Sequence, residues 1–237
     1  MKIDFPLNIK SLFYFIILFI IPLLGCYRFL NLFSGKKTHE QVIKNLKPKW
    51  EEKLNQKLSD KNISFPPEKI TIIGLKEDKI IEVWALNKEN IQTKILEYRV
   101  LAASGNKGPK LKEGDKQVPE GIYKLEYLNP NSSYHLSMKI NYPNEFDLKY
   151  AKEEGRDNPG TNIFIHGKNV SIGCLAIGDI AIEELYYLVS LVGKENVKVI
   201  ISPEDFRKKR PKLTKDFPFW TKELYSLIEK EIIEFKN

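Results

Sequence analysis

The amino-acid sequence predicts a mixed α/β domain that consists mainly of β-strands. Short apolar and β-branched runs, separated by turn residues, recur through the middle of the chain and are typical of strands. Apolar residues at helical spacing occupy segments near both ends of that region. With 237 residues, 42% of them hydrophobic, the chain is long enough for one domain with a substantial core and some additional segments.

The strands are predicted in two groups. The first group comprises residues 70–73, 80–86 and 93–102, and the turn residues 87–90 between the last two favour an antiparallel start to the sheet. The second group is predicted at residues 122–128, 134–140, 161–165 and 197–201.

Helices are predicted on either side of the strands. Residues 39–60 have apolar positions close to helical spacing, but Pro48 interrupts them and predicts two short helices or one kinked helix. Asp179 can cap a helix over residues 180–192. Two further helices are predicted at the C-terminal end, a short one at 203–210 and an amphipathic one at 219–235. The polar residues 142–160, which contain proline and glycine, are predicted to form a loop.

The N-terminal residues 1–25 resemble an export signal. Lys2 and Lys10 form a basic start, residues 11–24 are almost wholly apolar, and Cys26 follows a small residue as in a bacterial lipobox. Lipidation of Cys26 would make it the mature N-terminus. The alternative is an uncleaved membrane anchor, because apolar residues resume between 29 and 33. Both interpretations predict a protein that is exported to the periplasm or cell envelope and attached to a membrane through its N-terminus.

The charge of the chain argues against nucleic acid as a partner. The formal net charge is +7 at pH 7, but the Lys and Arg residues are scattered rather than clustered into a patch. A lysine-rich solvated surface is the simplest interpretation. A modest positive charge also suits anionic polymers such as cell wall.

The most informative stretch of the sequence is residues 163–174. An apolar run ends in His166 and Gly167, and Gly173 directly precedes Cys174. This pattern is typical of a thiol nucleophile with a histidine base, because a thiol attacks as its thiolate and an imidazole can take its proton. Cys26 is lipidated or membrane-embedded in either interpretation of the N-terminus, so Cys174 is expected to be a free thiol. The pattern predicts acyl transfer or amide cleavage.

Three ordered sequence elements resemble the L,D-transpeptidase catalytic domain (YkuD type) of bacterial cell-wall enzymes. They are residues 118–123 (VPEGIY), 165–167 (IHG) and 171–174 (SIGC). The resemblance covers roughly residues 70–202 and implies a β-sandwich with flanking helices. It divides the chain into a tether and helical segment (26–66), a catalytic domain (67–205) and a C-terminal helical extension (206–237).

The sequence departs from the family's common pattern beside the cysteine. Ile172 replaces a second histidine, and Leu175 begins an apolar stretch where the family often has Arg or Asn. These departures, with residues 108–115 and 128–132, resemble a divergent branch that hydrolyses the link between murein and its attached lipoprotein. The acceptor of the acyl group, an amine or water, stays open at this point.

The resemblance implies a mechanism for this site. Cys174 would attack the carbonyl of a diaminopimelate residue in a peptidoglycan stem peptide and form a thioester, with His166 as general base and then general acid. The carbonyl of Gly167 would orient the imidazole, and the N–H groups of Gly173 and Cys174 would form the oxyanion hole. The reaction needs no cofactor, and the murein-attached lipoprotein is a further partner of the divergent branch.

Four other residues are candidates for substrate binding. Ser171 lies within the cysteine motif, Tyr134 and His135 lie on a predicted strand, and Arg156 could hold a substrate carboxylate through a bidentate contact. For each of them an ordinary structural role is an open alternative. No metal site is expected, because the histidines and Cys174 lack the spacing and the number of ligands that zinc requires.

Two other functions compete with the cell-wall enzyme. A non-catalytic wall-binding lipoprotein could retain the fold while lacking the second histidine and the polar residue after Cys174. A membrane-anchored cysteine peptidase could act on protein substrates with the same thiol and imidazole.

Overall fold

The computed structural model describes residues 35–210, 213 and 215–236. The chain divides into two compact units, residues 1–37 and 38–237, and the features below belong to the second. The predicted signal or anchor and the proposed lipidation site at Cys26 lie outside the described residues. Among the residues that are described, no helix is long and apolar enough to cross a membrane.

Within the part of the chain that the structure describes, eight strands form a single mixed sheet. They are β1 Ile70–Leu75, β2 Ile80–Leu86, β3 Gln92–Arg99, β4 Gly121–Ser132, β5 His135–Ile140, β6 Phe164–His166, β7 Leu175–Ala176 and β8 Val197–Ser202. Their order across the sheet is β3-β2-β1-β8-β4-β5-β6-β7. The first three strands form the predicted antiparallel group, whereas β1 with β8 and β6 with β7 are parallel pairs.

Strand β4 joins the two halves of the sheet. Its first residues, 121–124, pair with β8, and residues 125–132 pair with β5. The two edges of the sheet also meet, because Ala102, just beyond β3, forms a bridge with Ala176 of β7. The mixed α/β fold is confirmed. The two layers expected of a sandwich are parts of one sheet, whose opposite edges meet at the bridge between Ala102 and Ala176.

The described helices flank this sheet. They are α1 His39–Ser59, α2 Glu145–Glu153, α3 Asp179–Val192 and α4 Thr221–Ile232, with a short 3₁₀ helix at Lys194–Asn196. Helix α1 lies against α3, to which it is joined by ion pairs.

The sheet is buried on both faces. On one face, Ile72, Val83 and Val199 belong to the main core, which also includes the apolar sides of α1 and α3. On the other face, Ile73 and Ile200 pack with helix α4. Consecutive residues such as Ile72 and Ile73 are therefore both fully buried, which explains why these strands are apolar throughout rather than alternating.

The structure decides between the two alternatives predicted for the N-terminal helical segment. Helix α1 is one continuous helix with Pro48 inside it, not two short helices. A capping box between Thr38 and Gln41 satisfies its first N–H groups. Burial of Trp50, Leu54 and other residues on the same side offsets the backbone hydrogen bond that the proline removes.

Three local predictions were wrong. Residues 142–160 contain helix α2, which begins in a capping box between Asn144 and Asp147. Residues 203–210 form turns rather than a helix. Asp179 is the first residue of α3 and not its cap, because its carboxylate accepts a hydrogen bond from the backbone N–H of Lys168 instead.

Candidate active site

The parallel pairing of β6 with β7 places the strand that ends in His166 beside the strand that directly follows Cys174. In its register His166 lies beside Ala176 and Ile165 beside Leu175, and Cys174 directly precedes β7. Ile165 and Leu175 are buried in the main core. Because side chains alternate along a strand, His166 projects to the face opposite Ile165, whereas Cys174 lies in the loop one residue before β7.

The His166 ring is held in one orientation. Its Nδ1 donates a hydrogen bond of 2.6 Å to the carbonyl oxygen of Gly167. The other nitrogen, Nε2, is therefore the unprotonated one in the neutral ring. The side chain is only 2% exposed, and this burial lowers the pKa of His166, an effect that the bond to Gly167 only partly opposes. At neutral pH the imidazole is uncharged and Nε2 is able to accept a proton.

Gly167 allows a close approach of three chain segments behind the imidazole. A Cβ at this position would lie 2.6 Å from Oδ1 of Asp179 and 2.7 Å from the carbonyl oxygen of Tyr134. Only glycine fits there without moving the backbone. Gly167 therefore supplies both the carbonyl that orients His166 and the space that the β4–β5 turn needs.

The Cys174 thiol is half-buried and uncharged at neutral pH. Burial raises the pKa of the thiol, and a backbone hydrogen bond from Phe164 and the positive charge of Lys110 only partly oppose the rise. Its Sγ lies 3.8 Å from the carbonyl oxygen of Asn162, which it can reach as a weak donor. Thiol and imidazole are therefore both neutral at rest, so a nucleophilic attack by the thiol would have to include the loss of its proton.

Serine hydroxyls occupy both backbone N–H groups expected in the oxyanion hole. The N–H of Cys174 donates to Oγ of Ser171 at 2.9 Å, and that hydroxyl donates to the carbonyl oxygen of Cys174 at 2.6 Å. The N–H of Gly173 donates to Oγ of Ser104 at 2.7 Å. An oxyanion could use these donors only after displacing the hydroxyls.

A comparison of sequences now identifies the domain. Residues 69–201 match the sequence model of the YkuD L,D-transpeptidase catalytic domain. The chain belongs to this family. Its similarity to YafK of Escherichia coli strain K12, a candidate L,D-transpeptidase, is 32% identity over 153 residues. The protein of the same name from E. coli O157:H7 matches equally well. The match covers 61% of this chain and 59% of YafK.

Two solved structures are weakly similar to this chain. Pgp2, the helical cell shape determining protein of Campylobacter jejuni, gives a TM-score of 0.47 at 23% identity, over 69% of this chain and 54% of Pgp2. Bd1075 of Bdellovibrio bacteriovorus gives 0.42 at 20% identity, over 73% of this chain and 57% of Bd1075. These TM-scores and sequence identities are too low to identify site residues.

Two residues beside the L,D-transpeptidase motif were not predicted to belong to the site. Ser104 accepts from Gly173 and donates to the carbonyl oxygen of Lys116, so it ties the cysteine loop to the chain before β4. Lys110 is 6% exposed, and its ammonium is paired with Asp115 at 2.6 Å. A buried lysine whose charge acts on the Cys174 thiol is a candidate functional residue.

The sequence offered only a weak signal for these two residues. Lys110 lies in the segment 108–115 that marks the divergent branch of the family, and nothing near Ser104 distinguishes it from other loop serines.

The predicted substrate-binding residues fall into separate environments. The Tyr134 ring packs against the His166 ring with centroids 4.6 Å apart, which brings it into the site. His135 points to Glu183, with Nε2 2.7 Å from Oε1. Arg156 is bound to Glu154 and to the carbonyl oxygen of Leu111, so its guanidinium is engaged in contacts within the protein.

Among the residues described, no group of three or more His, Cys, Asp or Glu side chains is placed to hold a metal ion.

Proposed function

We propose that this protein is a cell-wall cysteine enzyme that acts on diaminopimelate-containing stem peptides of peptidoglycan. Membership of the L,D-transpeptidase family supports the class of substrate. The observation that carries the proposal is the neutral His166 ring, which Gly167 orients through Nδ1 at the end of β6, beside the strand β7 that directly follows Cys174.

The first half-reaction is acyl transfer to the thiol. Nε2 of His166 accepts the thiol proton as Sγ of Cys174 attacks the amide carbonyl of diaminopimelate. The C–N bond then breaks, the leaving amine takes the proton from the imidazolium, and a thioester on Cys174 is left. Because neither group is charged at rest, proton transfer and attack are coupled rather than preceded by a stable ion pair.

The second half-reaction returns the thiol. An acceptor amine or a water molecule gives a proton to Nε2 of His166 and attacks the thioester carbonyl. The C–S bond then breaks, and the leaving sulfur takes the proton from the imidazolium, which restores the Cys174 thiol and the neutral His166. An amine acceptor makes the protein a transpeptidase, and water makes it an amide hydrolase. With water as the acceptor, a murein-attached lipoprotein becomes a candidate substrate.

The oxyanion is stabilised after a local exchange of hydrogen bonds. The N–H groups of Gly173 and Cys174 donate to Ser104 and Ser171 at rest, and the developing oxyanion would take the place of these hydroxyls. A charged acceptor receives a stronger hydrogen bond than a neutral hydroxyl does, which favours the exchange in the transition state over the ground state.

The location of the enzyme is part of the proposal. The basic and apolar N-terminus supports export to the cell envelope, with attachment to a membrane either through a lipid on Cys26 or through an uncleaved anchor. Both forms would leave residues 38–237 close to the wall.

A non-catalytic wall-binding protein is the second candidate. Two observations favour it: the N–H groups of Gly173 and Cys174 already donate to serine hydroxyls, and the pKa of the thiol is raised. Occupied N–H donors and a protonated thiol are not prepared for nucleophilic attack. In that case the same site would hold the stem peptide without forming a thioester.

Trapping of the thioester distinguishes the two candidates. We would incubate the full chain in detergent with a soluble disaccharide tetrapeptide and measure the intact mass at acid pH. The enzyme gains the mass of the acyl fragment on Cys174, and His166→Ala greatly reduces the gain. Binding of the same muropeptide with no mass gain at any time would reject the enzyme and leave the binding protein.

A further inference from the structure

We propose that helix α1 positions the catalytic base, through a chain of contacts from Lys49 to Glu183 to His135 that holds Tyr134 against the His166 ring. The inference rests on the proposed function of the Cys174 site. It gives the N-terminal helix a role in the chemistry of a site to which it contributes no reacting group.

The centre of the chain of contacts is the carboxylate of Glu183 on α3. One oxygen, Oε2, accepts from Nζ of Lys49 on α1 at 2.5 Å, and the other, Oε1, lies 2.7 Å from Nε2 of His135. Burial would raise the pKa of Glu183, but the hydrogen bonds from Lys49 and His135 outweigh it and hold the pKa below its usual value. The carboxylate is therefore ionised and links three elements of the fold.

His135 depends on this anchor because of its backbone. Its φ is +73°, in the left-handed region that a residue with a side chain rarely adopts. It pairs with Ser132 across the tight β4–β5 turn, so Tyr134 lies within the turn. Fixing the His135 side chain to Glu183 fixes the direction in which Tyr134 leaves the turn.

Tyr134 covers the base. Its ring is tilted 39° to the His166 ring at 4.6 Å and is itself 43% exposed, whereas His166 is 2% exposed. The carbonyl of Tyr134 lies against Gly167, the residue whose own carbonyl orients the imidazole. Lys168 reinforces the turn from the other side by donating to the carbonyl oxygen of Ser133. A shift of Tyr134 would therefore change both the packing of His166 and its access to water.

The same pair of helices provides a matched control. Lys57 of α1 pairs with Glu184 of α3 at 2.7 Å, and Lys49 and Lys57 are nearly equally exposed, 45% and 47%. Glu184 also accepts a hydrogen bond of 3.0 Å from the hydroxyl of Tyr98, which lies on β3. Loss of either lysine removes one α1–α3 ion pair. Of the two lysines, Lys49 is the one whose partner, Glu183, also contacts His135 next to Tyr134.

The test compares Lys49→Ala, Lys57→Ala and Glu183→Gln in the full chain purified in detergent. The chain has three histidines, so NMR titration of labelled imidazoles gives the pKa of His166 without any turnover. The rate of thioester formation with the soluble disaccharide tetrapeptide is measured in parallel. The charged groups next to Gly167 and Tyr134, Asp179 and Lys168, are unchanged in every variant.

We expect Glu183→Gln to raise the pKa of His166 and to slow thioester formation about tenfold, because a displaced Tyr134 admits water and loosens the base. Loss of a nearby negative charge alone would lower that pKa, so the sign separates positioning from direct electrostatics. Lys49→Ala should act in the same direction, Lys49→Arg should restore the wild-type values, and Lys57→Ala should change neither quantity.

Equal effects of Lys49→Ala and Lys57→Ala on both quantities would overturn the inference, as would a lowered pKa of His166 in Glu183→Gln. Failure of the proposed function looks different. In that case the wild-type protein forms no thioester, while the titration of His166 still decides whether Glu183 and Lys49 position its ring.

Discussion

Removal of the Ser171 hydroxyl is the sharpest perturbation of the cysteine loop. This hydroxyl accepts from the N–H of Cys174 at 2.9 Å and donates to its carbonyl at 2.6 Å, so it holds the backbone on both sides of the proposed nucleophile. Ser171→Ala removes both bonds without adding bulk. The variant should fold, but with the backbone of Cys174 less well fixed.

The size of the effect follows from the two lost bonds. Each contributes about 0.5–1.5 kcal/mol net. Since Ser171 is only half-buried and water can replace part of the loss, we expect the free energy of unfolding to fall by about 1–2 kcal/mol. For a domain of this size that lowers Tm by roughly 2–8 °C. A nucleophile displaced by a fraction of an ångström should cost about tenfold or more in kcat.

Thermal melting and thioester formation measure the two effects. Ser171→Thr keeps the hydroxyl and should retain most of both. Ser190→Ala removes a serine–carbonyl bond of the same 2.6 Å length on helix α3, and it should leave kcat unchanged. If Ser171→Ala keeps the wild-type Tm and kcat, the hydroxyl does not hold Cys174 in place and the reasoning fails.

Three further predictions concern the base and its surroundings. Burial lowers the pKa of His166, and the base works only when neutral, so kcat/KM should fall on acidification with a midpoint below pH 6.5. If the fall in kcat/KM instead has its midpoint at alkaline pH, where the Cys174 thiol ionises, general-base catalysis by His166 is contradicted. Gly167→Ala forces a Cβ to within 2.7 Å of the Tyr134 carbonyl, so Tm and kcat should both fall, with about 1–3 kcal/mol of destabilisation measured by urea unfolding. Arg156→Ala breaks its contacts within the protein and should lower stability by about 1–2 kcal/mol with KM unchanged; a higher KM at unchanged Tm would instead support a carboxylate-binding role.

Much of the sheet was predictable because its signal is local. The β-branched runs that form β1, β2 and β8 are bounded by turn residues, and the structure places strands there. Strand β7 has only two residues, too few for any periodicity. Helix α2 was missed because its polar composition hid a capping box from Asn144 to Asp147 that is present in the sequence.

Helix α1 shows where tertiary packing overrides a local rule. The chemistry of Pro48 predicts two short helices or one kinked helix, and the helix runs through the proline because Leu54, Leu58 and other apolar residues on one side of it are buried. The sequence alone does not show how far the burial of apolar side chains compensates for the one backbone hydrogen bond that is lost.

The candidate site likewise contains residues that the sequence predicted and partners that it did not predict. His166, Gly167 and Cys174 lie within nine consecutive residues, so the sequence alone suggested their pairing. The partners that adjust them come from far along the chain. Ser104 is 69 residues from Gly173, and Glu183 is 48 residues from His135. Such contacts depend on the sheet order and on the docking of α1 and α3, which no local pattern encodes.

Digestion of intact murein sacculi tests the central claim most directly. Sacculi would be incubated with the full chain or with Cys174→Ala, and the released and retained muropeptides would be read by mass spectrometry. We predict that the wild-type protein alone changes them, either through new cross-links and exchanged terminal residues or through loss of attached peptide that leaves a free diaminopimelate carboxylate. Identical muropeptides with both proteins, or the same change with Cys174→Ala, would contradict the account.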